Sequence, residues 1–230
     1  MNSLTVSSSK HSRFHMKEPG SAITHLIGVV IALVAAPPLL IRAFSNSAKH
    51  GISMILFLAG VILLYCASTI YHSLNISEGI NLKLRKIDHM MIYMLIAGTY
   101  SPVCLIALSD KHGIILFSII WGLALLGILQ ALFWITCPKW VSSVIYVIMG
   151  WLCIFSLSDI RSVLSKAAFS WLLVGGIIYT IGAVIYALKL NVFNGRHKNF
   201  GSHEIFHLFC LGGTFCHYML MFSYISKMSL

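Results

Sequence analysis

Charged residues are scarce in this chain: they make up 10% of its 230 residues, and only 6 are acidic. A soluble domain is about a quarter charged, because polar side chains must cover its surface. Hydrophobic residues reach 58% and the mean hydropathy is +0.89. This composition excludes a soluble globular domain and a disordered chain, and it predicts an integral membrane protein.

Two further classes of protein are excluded by what the sequence lacks. The six cysteines form no CxxC pair and most lie in apolar segments, so we interpret them as small buried hydrophobes and not as a disulfide scaffold. The formal net charge is +10, but the basic residues lie between apolar runs. Membrane topology and anionic lipid headgroups explain that charge better than nucleic-acid binding does.

Seven apolar runs are each about 18 to 22 residues long, the length that crosses a bilayer core of about 30 Å as a helix. They lie at 22–41, 52–72, 89–108, 113–134, 141–158, 168–188 and 204–225. The alternating polarity of membrane strands is missing, which excludes a β-barrel. We predict an all-α integral membrane protein, a single bundle of seven transmembrane helices at 22–225, with a polar N-terminal tail at 1–21 and a short C-terminal tail at 226–230.

The basic residues predict how the bundle is oriented. With seven spans, ten Lys and Arg residues fall on the side of the N-terminus and six on the other side. Cytoplasmic loops carry the excess of Lys and Arg, so we expect the N-terminus in the cytoplasm and the C-terminus outside.

Burying an ionisable residue in lipid is costly, so ionisable residues near the hydrocarbon are candidates for a functional site. Ser68 and His72 lie four residues apart at the end of the second run, and Asp88 precedes the third run. His203 and His207 are also four apart, at the start of the seventh run. Residues four apart share one helix face, and counting spans places all five residues at the same side of the membrane.

Three imidazoles and a carboxylate at one depth are typical of a catalytic zinc site. Zinc there takes three protein ligands and keeps a fourth position for water, which makes hydroxide available at neutral pH. We predict His72, His203 and His207 as metal ligands. Asp88 is the predicted proton shuttle and Ser68 the hydroxyl that supports the developing oxyanion.

Other interpretations of these residues remain open. The histidines could be packed and hydrogen-bonded without a metal, and Ser68 could bond its own helix backbone. His203-Glu204-x-x-His207 matches the HExxH pattern of metalloproteases, with Glu204 as base, but Glu204 could equally be a solvated carboxylate at the membrane rim. His217 lies about 15 Å further along the helix than His207 and is expected to form an interhelical hydrogen bond.

The spacing Ser68-x-x-x-His72, then Asp88, then His203-x-x-x-His207 resembles the progestin and adipoQ receptor superfamily. Further similarity to its bacterial branch, hemolysin III, lies in the segments Glu18–Gly28, Ile96–Pro102 and Leu211–Gly213. The resemblance covers about residues 16–225. It implies seven helices with a cytoplasmic N-terminus, a bacterial cytoplasmic membrane, and zinc held by the three histidines with Asp88 and Ser68 close by.

The resemblance also implies candidate activities. Receptors of that superfamily resemble ceramidases, so we expect zinc-dependent hydrolysis of a membrane lipid such as a ceramide-like amide. The alternatives are a zinc-stabilised sensor or regulator of the membrane without turnover, and a hemolysin-like cytolytic or transport protein. The sequence has no cleavable signal pattern of a secreted pore-former.

Overall fold

The structure is a computed structural model, and it describes residues 16–108, 110–134, 136–189 and 201–229, with only the backbone at residue 139. Within these ranges the chain is helical and contains no strand. Six segments are α1 Pro19–Asn46, α2 Ala48–Ser73, α3 Glu78–Pro102, α4 Lys111–Phe133, α6 Lys166–Leu188 and α7 Ser202–Ser223. Segment α5 runs through Lys139–Trp151, a 3₁₀ stretch Leu152–Ser156 and Leu157–Val163. A π-helix Val103–Ala107 continues α3, and a 3₁₀ turn Ile225–Lys227 follows α7.

Short polar side chains begin several of these helices. Ser47, Ser77, Asp110 and Ser165 each accept a hydrogen bond from a backbone N–H in the first turn of α2, α3, α4 and α6. Such caps satisfy N–H groups that have no partner inside the helix. Helix α1 instead begins with Pro19, whose missing N–H costs nothing at the first helical position.

Seven of the described segments are long and apolar enough to cross a membrane. Their outward faces carry large exposed apolar side chains, with Val34 and Ile41 each 72% exposed. Contiguous apolar surface on this scale is matched to lipid and not to water. The chain is therefore an all-α integral membrane protein with seven transmembrane helices, as the apolar runs predict.

Helix α2 packs closely against α3, and small residues make the approach possible. A Cβ atom added at Gly60 would lie 2.6 Å from the carbonyl oxygen of Met94, and one at Gly98 would lie 2.6 Å from that of Leu56. In a bilayer the hydrophobic effect does not drive helices together, because lipid is as apolar as the side chains. Small residues help instead, because they let two helix backbones pack closely. This contact holds the first half of α2 against α3.

A buried polar network fixes α7 beside α2 and α6. The Tyr65 hydroxyl of α2 donates to Thr214 Oγ1 of α7 at 2.6 Å, and the Tyr179 hydroxyl of α6 lies 2.7 Å from the same oxygen. Interhelical hydrogen bonds of this kind hold membrane helices in register. Two of its three helices, α2 and α7, also carry the predicted metal ligands.

The helices extend beyond the apolar runs from which they were predicted. Helix α3 begins at Glu78, whereas the third run begins at 89. Asp88 therefore lies in the third turn of α3 and not at the start of the helix, where the third run placed it. Residues 78–88 are polar but contain good helix formers, and hydropathy locates the lipid-facing part of a helix only. Helix α1 likewise begins at Pro19, inside the predicted polar tail. Residues 1–15 of that tail lie outside the described residues, and the division into tail and membrane domain stays a prediction.

Candidate metal centre

Three imidazoles meet where α2 ends and α7 begins. One ring nitrogen from each of His72, His203 and His207 lies within 4.8 Å of the other two. His72 and His207 are buried and His203 is half-buried. Because His203 and His207 are one helical turn apart, they present both rings on the face of α7 that meets the end of α2. The structure thus brings together the three predicted ligands.

The positions of the ring nitrogens suit a tetrahedral metal. His72 Nε2 lies 3.2 Å from His203 Nε2. Zinc–nitrogen bonds of about 2.0–2.1 Å in a tetrahedron would place two ligand nitrogens about 3.3 Å apart. The three-imidazole donor set and this one distance therefore fit zinc.

Hydrogen bonds on the far side of two rings determine which nitrogen remains available. His72 Nδ1 contacts the Glu18 carboxylate, and His207 Nδ1 lies 3.2 Å from the backbone carbonyl oxygen of Ser21. A carboxylate and a carbonyl can only accept, so both Nδ1 atoms carry the proton. The Nε2 atoms of His72 and His207 then keep their lone pairs for a metal.

Asp88 and Ser68 lie next to this cluster, on α3 and α2. Asp88 is only 7% exposed. Its carboxylate interacts with the Ser68 hydroxyl and with the rings of His89 and His72. His89 Nδ1 lies 3.7 Å from the Asp88 carboxylate, and the described residues contain no ion pair between Asp88 and Arg85. Both predicted catalytic residues are thus close to the histidines.

An internal cavity of about 150 Å³ opens beside the cluster. Ser68, Asp88, His203 and His207 line its near end, and mostly apolar side chains line the remainder as far as His217. A smaller cavity of about 60 Å³ shares residues such as Tyr100 and Trp151 with the first. The space therefore continues from the histidines toward the opposite side of the membrane.

His25 is part of this site although the sequence placed it only at the entrance of the first helix. It is 2% exposed, and its ring stacks on that of His207 with 3.7 Å between centroids and an interplanar angle of 5°. Both ring nitrogens lack a hydrogen-bond partner within the part of the chain that the structure describes. His25 also lines the cavity.

Two other residues of α7, Glu204 and His217, have clear hydrogen-bond partners. Glu204 Oε1 accepts a hydrogen bond from the Ser21 hydroxyl at 2.6 Å, and its Oε2 accepts from the Gly201 backbone at 2.8 Å. Glu204 therefore links α7 to α1 and is engaged on both oxygens. His217 Nε2 lies 3.3 Å from the Leu172 carbonyl oxygen of α6, which confirms the interhelical hydrogen bond expected for it.

The geometry defines a seven-helix membrane protein with a three-histidine cluster at one end of an internal cavity. The family model described as Haemolysin-III related matches residues 14–218. The chain therefore belongs to the haemolysin-III-related family, and the resemblance in its motifs to the hemolysin III branch of the progestin and adipoQ receptor superfamily is confirmed.

Three relatives illustrate how far the similarity extends. The chain is 37% identical to the Hemolysin-3 homolog of Bacillus subtilis (strain 168) over 212 residues, 92% of this chain and 95% of that protein. It is 34% identical to Hemolysin-3 of Bacillus cereus over 227 residues, 96% and 98% of the two chains. It is 27% identical to the Adiponectin receptor protein of Drosophila melanogaster over 227 residues, 87% of this chain and 49% of that protein.

Proposed function

We propose that this protein is a zinc-dependent intramembrane hydrolase that cleaves a lipid amide or ester, such as a ceramide-like amide. One observation carries the proposal: three imidazoles converge where an internal apolar cavity ends, and the Asp88 carboxylate and the Ser68 hydroxyl lie on the wall of that same cavity. Structural zinc sites are closed by four protein ligands, whereas catalytic sites use three and leave one position open.

His72, His203 and His207 would hold the metal, which supplies a Lewis acid and activates water when bound. The Asp88 carboxylate is placed to take a proton and to return it to the leaving group. The Ser68 hydroxyl interacts with Asp88 and has a single proton. It would turn that proton from Asp88 toward an oxygen that gains negative charge. Burial of Asp88 strengthens each of these interactions by excluding water.

The cavity favours a lipid as substrate. Its apolar walls continue away from the histidines and suit an acyl chain, while Arg85 and His89 line it near Asp88 and offer polar contacts to a headgroup. A scissile amide between chain and headgroup would then lie next to the cluster. The membrane lipids themselves are the proposed partners of this protein.

A sensor or regulator without turnover is the second candidate. The cluster joins α2 to α7, and α1 contacts both through Glu18 and Ser21. A metal bound there would tie three helices together, which suits a structural staple as well as a catalyst. Turnover distinguishes the two functions.

The test is hydrolysis of a short-chain ceramide by the purified protein in detergent. We expect fatty-acid release from the zinc-loaded protein, its loss after chelation, and its return with added zinc but not with added calcium, because imidazole ligands favour zinc.

The same preparations incubated with erythrocytes test the cytolytic alternative, which the name of the Bacillus cereus relative suggests. Equal ceramide hydrolysis before and after chelation would contradict a metal-dependent reaction.

The orientation is a separate proposal, made for a bacterial cytoplasmic membrane. Ten basic residues on the N-terminal side against six on the other favour a cytoplasmic N-terminus, which also places the histidine cluster at the cytoplasmic side. We expect alkaline phosphatase fused after Leu230 to be active and green fluorescent protein at the same position to be dark. The opposite pair of results would reverse the topology and leave the cluster unchanged.

A further inference from the structure

We propose that Glu18, which caps α1, and the first two turns of α1 form a collar that orients the metal ligands, and that Glu18 is its principal positioning residue. The collar consists of Glu18, Ser21, Thr24 and His25. This inference rests on the proposed zinc site. It assigns to α1, which supplies none of the three ligands, the task of keeping their rings in the form that binds metal.

The collar contacts two of the three imidazoles directly and the sequence neighbour of the third. Glu18 contacts His72 Nδ1, and the Ser21 carbonyl oxygen lies 3.2 Å from His207 Nδ1. Thr24 Oγ1 lies 3.3 Å from the same His207 nitrogen. The Ser21 hydroxyl also fixes the Glu204 side chain, which neighbours His203 in sequence. A single helix thus contacts both helices that carry the ligands.

Glu18 is itself held firmly at the end of α2. Its backbone N–H donates to the His72 carbonyl oxygen at 2.9 Å, and the ammonium group of Lys17 lies 3.8 Å from the centre of the Tyr71 ring. Pro19 fixes the next backbone angle as the first residue of α1. The carboxylate therefore meets His72 from a constrained backbone and not from a loose tail.

The chemical consequence is a defined tautomer. The Glu18 carboxylate at His72 Nδ1 keeps the proton on that nitrogen and leaves the Nε2 lone pair free. The Nε2 atom then becomes a better electron-pair donor to a cation. Carboxylate–histidine pairs of this kind commonly change metal affinity by about 10- to 100-fold when the carboxylate is removed. His25 adds a steric wall, since its ring covers one face of His207.

The experiment measures the zinc dissociation constant of the full-length protein by competition with a chelator. Glu18→Gln removes the charge and Glu18→Ala removes the acceptor, so we expect affinity to fall by about 10-fold and up to about 100-fold respectively. Glu18→Asp should retain most of the wild-type affinity. The matched control is Glu78→Gln, an exposed carboxylate at the start of α3, which should bind zinc as the wild type does.

Thermal unfolding of the metal-free proteins separates positioning from folding. Metal-free Glu18→Gln should unfold at the wild-type temperature while its zinc affinity falls. Wild-type affinity in both Glu18→Gln and Glu18→Ala would overturn the inference and leave the zinc site standing. An equal loss of affinity in Glu78→Gln would overturn it too. Absence of zinc from the wild type would instead contradict the proposed function.

Discussion

Replacing His207 with alanine should reduce the zinc content from about one ion per chain to nearly none. His207 is one of three described histidines whose ligand nitrogens all lie within 4.8 Å of one another, and zinc sites in proteins use three or four protein ligands. Its buried Nδ1 is already engaged by the Ser21 carbonyl oxygen, so the ring is oriented with Nε2 toward its partners. Metal analysis of protein purified without added zinc measures the effect.

The matched control lies on the same helix. His217 is also buried on α7, but its ring bonds the Leu172 carbonyl oxygen of α6 and lies outside the cluster. His217→Ala should therefore retain about one zinc per chain, even if it lowers the unfolding temperature. A full complement of zinc in His207→Ala would show that the ion is held elsewhere and would overturn the assignment of these three histidines as its ligands.

The number and order of the helices could be predicted from hydropathy, but their ends could not. An apolar run marks the lipid-facing stretch, and a helix continues for as long as its residues tolerate the conformation. Residues 78–88 are polar and yet helical, because Glu, Leu, Lys and Arg are good helix formers. The 3₁₀ stretch Leu152–Ser156 within α5 and the π-helix after Pro102 carry no periodicity that differs from an ordinary helix.

The meeting of the three histidines could be predicted, because His203 and His207 are one helical turn apart and counting spans places them at the same side of the membrane as His72. Glu18 and His25 were not predicted as parts of the site. The expected first helix began at 22, which left Glu18 in a tail and His25 at an entrance. Pro19 is the signal that could have found them, since proline at the first helical position marks a helix start. With α1 starting there, Glu18, Ser21 and His25 share one face by their spacing of three and four.

Asp88→Asn should leave zinc bound and lower the rate of lipid hydrolysis by about 10² to 10⁴. Asp88 is not among the predicted ligands, and asparagine keeps the shape of the side chain and an oxygen that can interact with Ser68. What asparagine cannot do is accept and return a proton, and that is the role proposed for the carboxylate. The measurements are zinc content and hydrolysis of a short-chain ceramide in one detergent.

Asp159→Asn is the matched control for this change. Its carboxylate is half exposed at the opposite side of the membrane, where its ionic contact is with His112 at 3.7 Å. Exposed pairs of this kind contribute about 0–1 kcal/mol to the free energy of unfolding, so both zinc and turnover should match the wild type. A loss of activity in Asp159→Asn would mean that the assay reports stability in detergent and not chemistry.

Because Asp88 is buried, the result for Asp88→Asn distinguishes a hydrolase from a sensor without turnover. At 7% exposure, with no Arg85 ion pair among the described residues, Asp88 is not a rim carboxylate whose loss would change nothing. If the metal is a structural staple, Asp88→Asn should shift the unfolding temperature modestly, and neither protein should hydrolyse the lipid. Equal turnover by the wild type and Asp88→Asn would remove Asp88 from the reaction. A large loss of turnover with zinc retained is the result that only a proton-transferring carboxylate beside the cluster explains.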